Sequence, residues 1–491
     1  MVAGPSLPGA VMTSSQHTTD RPVASGDLAR GRLGTFDIVF FVIAAAAPLA
    51  VVAGAAPLAF RMGGLGTPGA YVFCGVVYVL CAAGLTAFAR HVRNTGAFYA
   101  FIGRGLGRPA GVGSALVALL SYGLVCFGFY GFFGSYAKST VHDLVGVDLH
   151  WSVYSLAAAL IVAVLGYRQI DVGARVLGVL MTLEVLILAV LAITILLKNG
   201  TANLSAQPFE PAHVFDSGAG GMFVLALGAF IGFESTAIYA EEVRNPDRSV
   251  PRATYGAVAF LALFYGFTTW IAVDAFGVDQ LLAITQSDDF QNLYFGLADS
   301  YLGGWAKTAM GLLIVTSILA ATIAFHNATS RYMFALGRDG ILPKRLGHAH
   351  PRFGSPSRAS LVTTLGAILL IVVTVVLGGD PYLHLLLWTN TVGIVGIVAL
   401  QVLCMVAIIR FFTPDRRGYT AFRVWVAPAL GAAGLLVGIY LMLTNLELLT
   451  GRTDWVNWAL VAPLPLVCVG GYVWARIVRG PNTSGTSSEM P

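Results

Sequence analysis

Stretches of about 20 consecutive apolar residues recur along the whole sequence. At ~1.5 Å rise per residue each is long enough to cross ~30 Å of hydrocarbon. Twelve are read, at approximately 35–60, 67–91, 110–137, 151–168, 173–197, 218–240, 252–276, 304–330, 358–378, 383–409, 423–444 and 455–477. The chain is 57% hydrophobic and 11% charged, whereas soluble domains carry about 25% charged residues. Inside lipid each backbone polar group needs an internal partner, which a helix supplies within its own segment. The expected fold class is therefore an all-α polytopic membrane protein with 12 transmembrane helices.

Charge sets the orientation. The net charge of +5 is compatible with nucleic acid, but its distribution points to the lipid bilayer. With twelve spans and the N-terminus inside, 24 of the 29 Lys and Arg residues fall in internal segments or at internal span ends. Arg61, Lys138, Lys198, Lys307 and Arg452 fall on the opposite side. The positive-inside rule then places both termini in the cytoplasm, and the expected location is the plasma membrane. Residues 1–33 and the tail 480–491 are polar and expected to be disordered; the first lacks the apolar core of a signal peptide. The five cysteines, Cys74, Cys81, Cys126, Cys404 and Cys468, all lie in apolar runs and none has metal-ligand spacing. They read as small packing residues, and neither a cofactor nor a metal is expected. The longest external connection, 277–303, is acidic and partly apolar, and is expected to fold over the outer mouth.

Two spans are interrupted in the same way. The first, "FDIVFFVIAAAAPLAVVAGAAPLAF", carries Pro48 in its middle and then Gly54. The sixth, "GAGGMFVLALGAFIGFESTAIYA", carries Gly228 and Gly232 shortly before Glu234. Proline inside a helix removes a hydrogen bond and clashes with the preceding turn; glycine costs ~1 kcal/mol relative to alanine. Either interruption alone is compatible with a simple kink. Paired breaks at corresponding positions of two halves point to a transporter binding site. The offset of five spans predicts two repeats, 34–197 and 218–409, within a core of 34–409. Because five is odd, the second is inverted, and 423–477 adds two further helices.

Among the 24 acids, only Glu184 and Glu234 fall deep within a span; Asp37 and Asp274 lie nearer span ends. A charge at the bilayer centre costs about 2.5–3.5 kcal/mol on insertion scales. Such a group faces the protein interior, pairs, or takes a proton. Glu184 and Glu234 are candidates for coupling transport to a proton, the alternative being a helix–helix hydrogen bond without a transport role. His326 reads more readily as a buried hydrogen-bonding residue than as a proton shuttle.

The segment "GFESTAIYAEEVRNPDRSVPRA" resembles the sixth-helix signature of the amino acid–polyamine–organocation (APC) superfamily, through Gly232-Phe233-Glu234, Glu242, Asn245-Pro246 and Pro251. "NATSRYMFALGRDGILP", Asn327 to Pro343, is similar to that family's eighth helix and following loop. "NTGAFYAFIGRGLGRPAG" is similar to its approach to the third helix. The three matches occur in the family's order. The resemblance implies a LeuT-like 5+5 inverted repeat and secondary transport of amino acids or related amines. It also implies that backbone N–H groups at the first-helix break hold the substrate carboxylate. Here the matching positions are Ala47-Pro48-Leu49-Ala50-Val51; the family's glycines are absent and Pro48 has no N–H. Glu184 stands at or beside the position where some members carry lysine.

The combined expectation is an alternating-access amino acid permease. Its substrate site is expected between Ala46, Ala47, Pro48, Leu49 and Ala50 of the first span and Phe230, Ile231 and Gly232 of the sixth. Phe230 is a candidate outer gate; Tyr122, and Thr389 or Asn390, are secondary candidates. The coupling ion is expected to be a proton, with sodium as the alternative, through Glu184 or Glu234. A polyamine or amine carrier, and an exchanger, are the rivals within the same fold. A channel and a nutrient sensor are the rivals outside it. No pairing of nucleophile and base points to an enzyme.

Overall fold

Proline in the first turn marks where several of the long helices begin. Its fixed φ suits a helix start, where its missing N–H would have no partner anyway. Pro68, Pro109, Pro428 and Pro463 occupy such positions. The computed structural model describes residues 35–91, 97–168, 174–200, 204–216, 219–234 and 245–478. Within them the α-helices of eight residues or more are α1 (Thr35–Ala46), α2 (Ala56–Gly63), α3 (Thr67–Phe88), α4 (Ala97–Leu106), α5 (Arg108–Val145), α6 (Trp151–Arg168), α7 (Ala174–Asn199) and α8 (Gly220–Gly228). They continue as α9 (Pro246–Phe276), α10 (Val278–Gln286), α11 (Leu293–Leu302), α12 (Gly304–Arg338), α13 (Ser357–Val376), α14 (Thr389–Phe412), α15 (Ala427–Thr444) and α16 (Pro463–Ile477). The described residues contain no strand. π-helical turns at Ala50–Ala55, Pro381–Trp388 and Phe422–Val426 lead into α2, α14 and α15.

Ten helical stretches among the described residues are long and apolar enough to cross a membrane. Two of the expected spans do not form a single long helix. The first is divided into α1 and α2. The described part of the sixth is α8 followed by turns to Glu234. The 38-residue α5 is ~57 Å long at 1.5 Å per residue, so it tilts or projects beyond the hydrocarbon. The expected outer connection is itself helical. It contains α10 and α11 and folds onto the end of α2, where the Gln286 amide donates to Arg61 O at 3.1 Å and the Arg61 guanidinium lies over the Phe290 ring.

Helix α5, at the third expected span, is the hub, packed on α4, α6, α12, α14 and α16. Helix pairs five expected spans apart lie against one another: α2 with α8, α3 with α9, α5 with α12, and α6 with α13. The outer helices leave large apolar side chains uncovered, among them Leu160, Leu197, Leu369, Val376 and Leu466. A water-facing surface rarely carries so many; facing lipid, they are in their proper solvent. The chain is a multi-pass membrane protein. The expected disordered ends, and the acid pair Glu241 and Glu242, lie outside the described residues, as does the side chain of Asp37.

Candidate functional site

Helix α1 stops at Ala46 because the next residue takes a left-handed conformation, with φ of +47° at Ala47. For a residue with a Cβ this costs roughly 1–2 kcal/mol. The Pro48 ring disfavours the right-handed helical region for the residue before it, and proline has no N–H for the ladder. The chain re-enters helix through the π turn Ala50–Ala55. Wide turns leave carbonyls free, and tyrosines from other helices meet them. Tyr382 Oη donates to Gly54 O at 2.6 Å, and Tyr136 Oη lies 3.4 Å from the same oxygen. Tyr265 Oη donates to Ala46 O at 3.4 Å.

The second break follows α8. Phe230, Ile231 and Phe233 each donate backward over three residues, in tight turns rather than an α-helix. Gly232 then adopts φ of +109°, a conformation open to glycine and strained for other residues. Its N–H donates to Glu234 Oε2 at 3.1 Å.

Each break therefore has its own buried carboxylate. Glu184, on α7, is buried; its Oε2 accepts from Ser317 Oγ of α12 at 2.7 Å, and the backbone N–H of Leu49 in the first break faces it. Glu234 is also buried, and its Oε1 accepts from the hydroxyl of Tyr122 on α5. Neither carboxylate has a Lys, Arg or His in ion-pair distance among the described residues. Removing a partner from a buried charge is costly, so sites of this kind bind a proton or a cation, or depend on every hydrogen bond they have.

The structure brings most of the expected residues together. Ala46, Ala47, Pro48, Leu49, Ala50, Phe230 and Ile231 are buried at the two breaks, and Gly232 is half-buried. Tyr265 joins the breaks: its hydroxyl reaches Ala46 O, and its ring meets Phe230 edge-on at 6.1 Å. Phe230 also stacks on Tyr78 at 5.2 Å, whose hydroxyl lies within hydrogen-bonding distance of Leu227 O and Gln401 Oε1. Tyr122 stacks on Tyr332 at 5.4 Å. Asn390 stands apart. Its amide donates to Leu386 O of its own helix at 3.0 Å and lies against Gly128 of α5. Thr389 likewise bonds its own helix, to Leu385 O. His326 pairs through Nε2 with Ser360 Oγ at 3.0 Å, away from both breaks in its bonding.

Sequence reasoning missed Ser317, Tyr265, Tyr78 and Gln401. Ser and Thr in apolar helices commonly bond their own preceding turn, as Thr322 does here, so Ser317 carried no signal. A periodic polar residue on one face of α3, α9 or α14 was the available clue for the other three.

The family model described as amino acid permease matches residues 33–469. The branched-chain amino acid permease of Lactococcus lactis subsp. cremoris is 27% identical over 215 residues, covering 41% of this chain and 43% of the relative. The branched-chain amino acid permease of Bacillus subtilis is 25% identical over 69% of this chain and 74% of its own length. The low-affinity putrescine importer of Escherichia coli is 23% identical over 82% of this chain and 85% of its own. The match thus spans less than half of the Lactococcus relative's length, and most of the other two.

Proposed function

The chain belongs to the amino acid permease family, a family of transporters and not of enzymes, and from that premise we propose that it moves amino acids across the plasma membrane by alternating access, coupled to protons. The observation that carries the reading is that each of the two helix breaks has one buried carboxylate beside it, without a cationic partner among the described residues. Helix-end carbonyls at the sixth-helix break, with Glu234, would suit an ammonium group, and N–H groups at the first-helix break a carboxylate. Ala46 to Ala50, with Phe230 and Ile231, are the proposed apolar lining for the substrate side chain, and Phe230 is the proposed outer gate.

The proposed architecture is twelve spans with both termini in the cytoplasm. Repeats 34–197 and 218–409 are related by inversion, and 423–477 adds two helices. Packing of four helix pairs five spans apart supports it, because helices near a twofold axis in the membrane plane meet their own equivalents. Glu184 is the proposed proton carrier. It sits where α7, α12 and the first break meet, so a movement of the broken helix changes its surroundings. A carboxyl that is dry in one state and wet in the other can take up a proton on one side and release it on the other.

A second reading, an amine carrier, is favoured by one observation. Few N–H groups are free at the first break: Pro48 has none, Leu49's faces Glu184, and Val51's donates to Ala47 O at 3.0 Å. A substrate without a carboxylate needs none of them. Uptake into proteoliposomes from a panel of labelled amino acids and diamines, with and without an imposed pH gradient, separates the readings. Saturable uptake of amino acids, stimulated by an inward proton gradient, is the expected result. Saturable uptake of diamines alone selects the second reading, and non-saturating flux of either substrate indicates a channel.

A further inference from the structure

A recess of about 540 Å³ opens at the arginine-rich end of the bundle, between the end of α3, the start of α9 and the turn that leads into α15. It belongs to neither helix break. Among the described residues four arginines line it, Arg90, Arg248, Arg252 and Arg423, against one acid, Asp247. Two are held in place. Arg90 Nη2 donates to Asp247 O at 2.5 Å, with its Nε 4.0 Å from the Asp247 carboxylate. Arg423 Nη2 donates to Thr86 Oγ1 at 3.2 Å. The other two are exposed, and neither guanidinium has an ion-pair or hydrogen-bond partner among the described residues. Arrangements with more fixed cations than anions attract phosphate groups, for which guanidinium is a well-matched donor.

What lies above the recess identifies the source of the phosphate. Phe422, at its edge, begins an exposed apolar stripe that continues through Val426 and Leu430 at four-residue spacing, one face of a single helix. On the other wall, Leu263 and Phe267 of α9 are exposed on the face that carries Arg252. A soluble phosphate has no use for such walls. A phospholipid has: its headgroup meets the arginines while its acyl chains follow the stripes. Basic pockets between transmembrane helices hold anionic lipid headgroups in this way. We propose that this recess binds the phosphate headgroup of an anionic phospholipid, with Arg248 and Arg252 as the receiving groups and Arg90 and Arg423 as the fixed floor.

The test uses the full chain purified in detergent and follows its thermal stabilisation during titration with phosphatidylglycerol, phosphatidylcholine or inorganic phosphate. Phosphatidylglycerol should stabilise it saturably, at far lower concentration than the other two. Each cation near an anionic lipid contributes about fivefold in affinity. The double variant Arg248→Ala/Arg252→Ala should therefore need about thirtyfold more phosphatidylglycerol, and the Lys/Lys double variant should keep most of the binding. The single alanine variants, each about fivefold weaker, carry the same test if the pair does not fold. An unchanged midpoint in the alanine variants overturns the site. Equal stabilisation by phosphatidylcholine overturns the role of charge, and saturation by inorganic phosphate at the same concentration overturns the lipid assignment.

Discussion

Glu184 of α7 and Ser317 of α12 share a 2.7 Å hydrogen bond beside the first-helix break, 133 residues apart in sequence. A hydrogen bond to a charged buried group contributes about 1.5–3 kcal/mol, so Ser317→Ala should impair the site more than a surface change does. The expected result is at least a tenfold lower rate of gradient-driven uptake, with Ser317→Thr restoring most of it. Measuring both rates in proteoliposomes checks this; equal rates for the alanine and parent proteins remove Ser317 from the site.

Pro48→Ala restores an N–H and removes the ring that keeps Ala47, at φ of +47°, out of the right-handed helical region. Proline in a helix interior costs ~3 kcal/mol, so the variant has every reason to straighten there. The prediction is a loss of about tenfold or more in substrate affinity with no lower yield of folded protein. Binding measured on detergent-purified protein decides it; unchanged affinity moves the substrate site away from the first break.

Tyr122→Phe deletes the hydroxyl that donates to Glu234 and keeps the ring that stacks on Tyr332. A buried carboxylate that loses one of its donors costs about 1–3 kcal/mol. Thermal unfolding in detergent should show a clear loss of stability, and substrate should protect the variant less well than the parent. A second variant, Tyr122→Phe/Glu234→Gln, should lose less than the sum of the two single changes, because the pair acts as a unit. Strict additivity contradicts the pairing.

Orientation follows from labelling single cysteines with a membrane-impermeant thiol reagent. The native Cys74, Cys81, Cys126 and Cys404 are buried and Cys468 is half-buried, so a Cys468→Ser background is quiet. Arg452→Cys should label from outside intact cells, and Arg416→Cys only after permeabilisation. The reverse pattern inverts the proposed topology.

The break positions were legible in the sequence because their causes are local: Pro48 acts on its own neighbour, and Gly232 supplies a conformation other residues resist. The span boundaries were legible to within a few residues where a turn follows, as at Arg168, and less so where the helix runs past the hydrocarbon, as α5 does to Val145. The partners of the two acids were not legible. Glu184 with Ser317 and Glu234 with Tyr122 are contacts between helices far apart in the chain, decided by packing angle and not by pattern. Asn390, a secondary candidate, has its amide bonded to its own preceding turn, a local bond that the sequence does not display. The outer connection 277–303 read as a cover because it is partly apolar; its apolar residues are the buried faces of α10 and α11.

The central claim, that Glu184 couples a proton to transport, is tested most directly by Glu184→Gln in proteoliposomes with an imposed pH gradient. The amide keeps the size of the side chain and can still accept from Ser317, but it does not titrate. The account predicts that the variant binds substrate, exchanges it across the membrane, and fails to accumulate it against a gradient at any imposed pH difference. Accumulation equal to the parent's, with the same dependence on pH, contradicts the account and passes the coupling role to Glu234 or to sodium.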